Sequence, residues 1–195
     1  ENSIFWGARD FNASASPGPM GSSGGALEYI STYVSNASGA LSPAEFDTFL
    51  EGPYGYGSQN KALFCSPRVG TVLSQMLRDV WQPVTVEEKK FGAKVNAYIS
   101  GTYGWTIPVF VKREWADFSI GSATDYTSYG TYAFLIDLDR VRLRNLRDFN
   151  THLRQGIQEP SSTAVVDEWQ TLFSLEFATE KAHGILYGTT SYSAT

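Results

Sequence analysis

Residues 132–149 read YAFLIDLDRVRLRNLRDF, and the pattern changes midway. The stretch 132–137 is a continuous apolar run ending in Asp137, the pattern of a strand covered on both faces. From 141 onward Arg142 and Arg144 alternate with Val141 and Leu143. A strand there carries guanidinium groups on one face and apolar groups on the other. Between the two, Asp137 caps a single helical turn over 138–140. Arg140 joins the basic face if the second strand starts one residue early, and Arg147 extends the cluster.

Working outward, downstream residues 168–177 (EWQTLFSLEF) place Trp169, Thr171, Phe173, Leu175 and Phe177 on one face of a strand. The turn ATEKAH leads to a returning strand at GILYG, and His183 organises that turn. Upstream, SPAEFDTFL opens a helix: Ser42 is the N-cap, Pro43 the first helical residue, and Glu45 closes a capping box. Phe46, Phe49 and Leu50 follow at helical spacing, and GPYGYGS stops the helix. KALFC is a short buried strand. Ser66 and Pro67 open a second helix, in which Val69, Val72, Leu73, Met76, Leu77 and Val80 form one apolar stripe. From Pro83 the period is two: 84–91 and 93–100 read as a hairpin, and TIPVFVKREW as a strand with Pro108 at an edge or bulge. Near the start, IFWG ends a helix, 12–25 is a loop, and ALEYISTYV reads as a strand. Helices and strands do not alternate regularly, so the fold class is α+β.

The chain has 195 residues and a net charge of −5, with 42% apolar residues, twelve Phe, eleven Tyr and five Trp. That suffices for a sizeable core. The acidic balance opposes a role in coating nucleic acid, where phosphate neutralisation dominates affinity. No window has the length and apolarity of a membrane span. The single cysteine, Cys65, permits no disulfide within the chain.

Catalytic constellations are sparse. Ser23 in GSSGG matches G-x-S-x-G, but a loop precedes it and a strand-like run follows, where a nucleophile elbow needs a strand and then a helix. Ser23 or Cys65 with His183 is the weakest functional reading, a hydrolase. GPYGYGSQNK lacks the phosphate-loop spacing. His152, His183 and Cys65 lie too far apart for a helical metal pair, Asp137 is explained by capping, and no cofactor is expected. For the arginines, bidentate pairing with carboxylates leads, with Asp137, Asp139, Asp148, Glu168 and Glu176 as nearby partners. A phosphate-binding stripe over 140–147 is the runner-up, because the motif lacks interleaved aromatics for single-strand binding.

The order of these features resembles a known family. IFWG, GGALEYIS, SPAEFDTFLEGPYGYGS, KALFCSPRVGTVLSQM, FGAKVNAYIS, YAFLIDLDRVRLRNLRDF and EWQTLFSLEFATEKAHGILYG follow the order found in tailed-phage major capsid proteins of the Hong Kong 97 fold, in a divergent branch. The resemblance implies an α+β fold with a peripheral domain (1–25, the end of a long helix and a linker, and 136–195, long strands and a tail) and an axial domain (26–135). It implies a structural, non-enzymatic subunit of a phage or prophage shell, located in the virion capsid and assembled in the bacterial host cytoplasm. Its partners would be copies of itself and accessory capsid proteins, with packaged DNA enclosed indirectly and no membrane. Relative to that pattern, the N-terminal arm, the extended loop and the body of the long helix precede Glu1. The resemblance casts Arg140, Arg142, Arg144 and Arg147 as inter-subunit contacts, where charge gives register more than raw affinity.

Overall fold

The structure, a computed structural model, describes residues 2–6, 10–12, 20–22, 24–80, 97–99, 104–115, 129–145, 151–157, 165–171 and 173–193. In chain order the elements are α1 (Asn2–Trp6), β1 (Asp10–Asn12), β2 (Met20–Ser22), α2 (Ala26–Tyr29), β3 (Val34–Leu41), α3 (Pro43–Tyr54), β4 (Lys61–Cys65), α4 (Pro67–Val80), β5 (Ala97–Ile99), β6 (Thr106–Val111), β7 (Ala133–Asp137), β8 (Val141–Asn145), β9 (His152–Arg154), β10 (Glu168–Gln170), β11 (Phe173–Phe177) and β12 (Gly184–Tyr192). They fall into two compact units, Glu1–Tyr29 with Val141–Ala178, and Ile30–Arg140 with Thr179–Thr195.

The larger unit is a six-stranded mixed sheet in the order β3-β12-β7-β4-β6-β5. β12 runs parallel to β3 and antiparallel to β7, and β4 runs antiparallel to β7 and parallel to β6. On one face α3 contributes Phe46, Phe49 and Leu50, and α4 contributes Val69, Val72, Leu73 and Met76. These meet Leu63, Cys65, Ile107, Val109, Ala133, Leu135 and Leu186 in one core. Each such aliphatic side chain contributes roughly 1.5–3 kcal/mol on burial. The other face carries Ala62, Phe134, Ile136 and Ile185, all buried, with Trp115 packed edge-on to Phe134. β7 is therefore buried along its whole length, as its unbroken apolar run requires.

α3 starts as its sequence dictates. The Ser42 hydroxyl accepts the Glu45 N–H, and the Glu45 carboxylate accepts the Ser42 N–H at 2.9 Å, completing the capping box. Such a cap is worth about 1 kcal/mol. The helix runs through Pro53 and ends at Gly55, later than GPYGYGS suggests. Pro53 is in the last turn, where a helix tolerates a poorer hydrogen-bond ladder. The Ser66 hydroxyl likewise accepts the Val69 N–H at the start of α4.

Three expectations are corrected. ALEYISTYV is not one strand: 26–29 is a helical turn, and the strand begins only at Val34. The cause is distant. The Glu180 carboxylate accepts the N–H groups of Ser31 and Thr32, at 2.7 and 2.6 Å, and the Thr32 hydroxyl at 2.7 Å, removing those amides from any ladder. Pro108 lies in an interior strand, β6, not an edge. It is tolerated because the ladder to β4 starts one residue later, at Val109. Finally, β12 does not continue the long strands that begin at 136. It fills the middle of the six-stranded sheet, and 179–195 belong to that unit. Alternating Ile185 and Leu186, both buried, fit a central strand. Most of the expected hairpin over 84–100 lies outside the described residues, with Ala97–Ile99 a strand as read.

In the smaller unit β8 pairs with β11 and β9 with β10, all antiparallel. The chain thus goes out along β8 and β9 and returns along β10 and β11. EWQTLFSLEF forms two strands, not one, because register shifts between the pairs: Asn145 lies opposite Phe173, but His152 lies opposite Gln170. Short paired strands β1 and β2 also belong here.

Candidate functional site

The arginines of β8 stand as their alternation requires. Arg142 lies directly opposite Glu176, and Arg144 opposite Ser174. Cross-strand partners share a face, so both guanidinium groups flank one carboxylate. The Arg144 Nε donates to Glu176 Oε2. This hydrogen bond, together with the charges of Arg144 and Arg142, holds the Glu176 carboxyl below its ordinary range against some desolvation. The reading of arginines bonded to acidic groups is met within the chain for Arg144. Arg140 ends the turn after β7 and is exposed in the six-stranded unit, so it does not belong to the β8 face. Arg147 lies outside the described residues.

The opposite face of this ribbon carries Val141 and Leu143 against Phe177 and Leu175, with Phe173 at its end. Leu143 is 61% exposed and Phe173 57%. Phe177 packs against Tyr29, ring centroids 5.7 Å apart. Further out, Trp169 lies opposite Leu153 and is 71% exposed. Large apolar groups on a two-stranded ribbon are what an isolated soluble surface usually avoids.

In the six-stranded unit the strongest polar cluster was not singled out as such in the sequence. Lys61 and Asp137 are register partners at the ends of β4 and β7. Both side chains are fully buried, with Lys61 Nζ 3.2 Å from Asp137 Oδ2. The ammonium also donates to the carbonyls of Tyr56 and Ala182, at 3.0 and 2.8 Å. It lies 5.5 Å from the centre of the Tyr54 ring. Asp137 accepts the N–H and hydroxyl of Ser58, at 2.6 and 2.7 Å, and the N–H of Asp139 at 3.1 Å. Burial raises the Asp137 carboxyl, but Ser58 and Lys61 outweigh it and hold it below its ordinary value. Gly57, at φ +75°, permits the close turn over this carboxylate, where a Cβ would strike Asp137 and Ala182. The capping of 138–140 by Asp137 is thus real, but it is one of several duties. A lysine heading one buried strand and an aspartate ending another was the available signal. Only the antiparallel register joins them.

His183 is buried, and its Nδ1 accepts the Asp137 N–H at 3.1 Å. It organises the turn before β12, as read. Cys65 is also buried, and desolvation pushes its thiol up to about 12. Cys65 pairs with Ala133 whereas Lys61 pairs with Asp137. The thiol therefore sits at the other end of the strand pair from the Asp137–His183 contact, about 13 Å away along the strands. The Cys65–His183 dyad is not assembled. Ser23 lies outside the described residues. Asp139 accepts from Asn60 at 3.0 Å instead of pairing with an arginine, and His152 is exposed opposite Gln170. Among the described residues no three His, Cys, Asp or Glu side chains cluster to hold a metal, and no helix is long and apolar enough to cross a membrane.

Residues 1–190 match the family model described as SU10 major capsid protein. The chain belongs to this family. The SU10 family assignment agrees with the fold. The protein in the holo-SrpI encapsulin complex from Synechococcus elongatus PCC 7942 shares 15% identity at a TM-score of 0.51, over 88% of this chain and 59% of its own. A chain from Gordonia phage Cozz shares 16% identity at a TM-score of 0.47, over 100% of this chain and 58% of its own. The chain thus spans just under three fifths of the length of these structures. No curated protein matches it. The α+β class and the Hong Kong 97-type fold are as the sequence resemblance implied.

Proposed function

We propose that the chain is the structural part of a phage or prophage capsid subunit, assembling with copies of itself into a shell that encloses the genome. One observation carries this reading beyond family membership. The ribbon of β8 to β11 keeps its apolar residues Leu143, Phe173 and Trp169 largely exposed while its other face is charged. Interfaces combine an apolar or aromatic centre with charged groups that fix register, and a ribbon presenting both fits a subunit that meets its own kind on several sides. The six-stranded unit is read as the axial domain and the ribbon unit as the peripheral domain. The subunit's place is the virion capsid, with assembly in the host cytoplasm. Accessory capsid proteins are further partners, and packaged DNA is enclosed rather than read in sequence.

Arg142 and Arg144 are the proposed contact residues, with Arg140 and Arg147 as further candidates. Electron microscopy of the full-length protein expressed alone tests the reading. Closed particles are expected from the wild type, and the double charge reversal Arg142→Glu, Arg144→Glu is expected to abolish them while the protein stays folded. Normal particles from the double variant would remove the arginines from the interface. Absence of particles from the wild type would remove the shell reading itself.

A further inference from the structure

Resting on the shell reading, we propose that the outer edge of β3 receives an extended segment from a second copy of the subunit, which adds a seventh strand to the sheet.

β3 ends the sheet order, with β12 on one side and no strand on the other among the described residues. The register shows which backbone groups point outward. The Ile185 N–H donates to the Tyr33 carbonyl, and Ile185 pairs with Val34. Alternation along a parallel ladder then turns residues 33, 35 and 37 toward β12. It leaves the N–H and C=O groups of Val34 and Asn36 on the open side.

Exposed edges are normally blunted by lysine, proline or inward-pointing charge. The strand VSNASGAL has none of these. Its one irregularity is the left-handed pair Ser38 (φ 49°) and Gly39 (φ 107°), which breaks the register with β12 and confines the usable edge to 34–37.

Beside this edge runs a cavity of about 430 Å³ between β3 and α3. Ser35, Ala37 and Leu41 line its strand side. Ala44, Thr48 and Gly52, four residues apart on α3, line its helix side. The ionisable group at the cavity, Glu45, already accepts both the N–H and the hydroxyl of Ser42. The cavity therefore suits an uncharged, apolar side chain, delivered by every second residue of an incoming strand.

The size of this edge identifies the occupant. A four-residue ladder with one inserted side chain buries far less than the roughly 1,200–2,000 Å² of a stable stand-alone interface. It becomes effective only when other contacts hold the partner nearby at high effective concentration. Copies of the same subunit in a shell supply that condition, and an independent partner does not.

Amide-resolved hydrogen exchange on the full-length protein, in particles and in subunits released from them, decides the matter. The Val34 and Asn36 amides are expected to exchange at least about tenfold more slowly in particles than in released subunits. Ser35 and Ala37, turned toward β12, are expected to be protected in both. Equal, fast exchange of Val34 and Asn36 in both states overturns the proposal. Equal protection in both overturns it too, because the edge is then covered by the subunit's own chain. Thr48→Trp fills the cavity from an exposed helix position and leaves the ladder intact. It is expected to reduce particle yield at least about tenfold with an unchanged unfolding midpoint, and unchanged yield overturns the proposal. Failure of the wild type to form particles sinks the shell reading, and this inference with it. Normal particles with an exchanging edge sink this inference alone.

Discussion

The two units solve the same problem in opposite ways. The six-stranded unit buries a lysine and an aspartate and surrounds them with two carbonyls, a serine and a glycine turn until every charge has a partner. The ribbon unit leaves its ion pair at the surface and its large apolar residues in water. A buried pair fixes one arrangement of its own chain, because losing either partner strands the other without water. A surface pair costs little to break or exchange. The first unit is therefore built for internal definition, and the second retains groups that a neighbour can use.

The sharpest way to break this contrast is Lys61→Ala. Stranding the Asp137 carboxylate is expected to destabilise the six-stranded unit by about 3–5 kcal/mol, read as a lower denaturation midpoint. A loss below about 1 kcal/mol would mean the cluster behaves like a surface pair. Acid gives a smaller effect of known sign. The folded Asp137 carboxyl lies below its ordinary 3.8, so its contribution is complete above that value and is lost as pH falls through the lower folded one. Between pH 5 and 2 the wild-type midpoint should fall more steeply than that of Asp137→Asn, and parallel profiles would contradict the assignment. The smallest effect is expected in the ribbon. Arg144→Ala should leave the midpoint of the isolated subunit unchanged, its consequence confined to assembly. A clear drop would show that the pair serves the chain's own stability.

What the sequence conveyed follows the range of the forces involved. Ser42, Pro43 and Glu45 act within one helical turn, so the start of α3 was legible, and so were the Ser66–Pro67 start and the stripe from Val69 to Met76. The buried strand at 133–137 announced itself because burial on both faces requires an unbroken apolar run. The alternation of Arg142 and Arg144 likewise gave the charged face, and Glu176 stood among the carboxylates near enough to meet it. What escaped depended on distant residues. Nothing within 26–34 reveals that Glu180 takes the amides of Ser31 and Thr32, so β-forming residues there were read as a strand. Lys61 and Asp137 meet only once β4 and β7 pair. The register shift that divides 168–177 into two strands arises from unequal chain lengths on the outgoing and returning sides, which neither side records alone.

The central position of β12 also bears on the order of synthesis. β3 touches the rest of the sheet only through residues 184–192, so an emerging polypeptide holds β3 and the β7-β4-β6-β5 group as separate pieces until those residues have left the ribosome. Domains generally fold as units as they emerge. A nascent subunit therefore acquires its finished sheet late, which delays premature encounters between chains still being translated on one messenger.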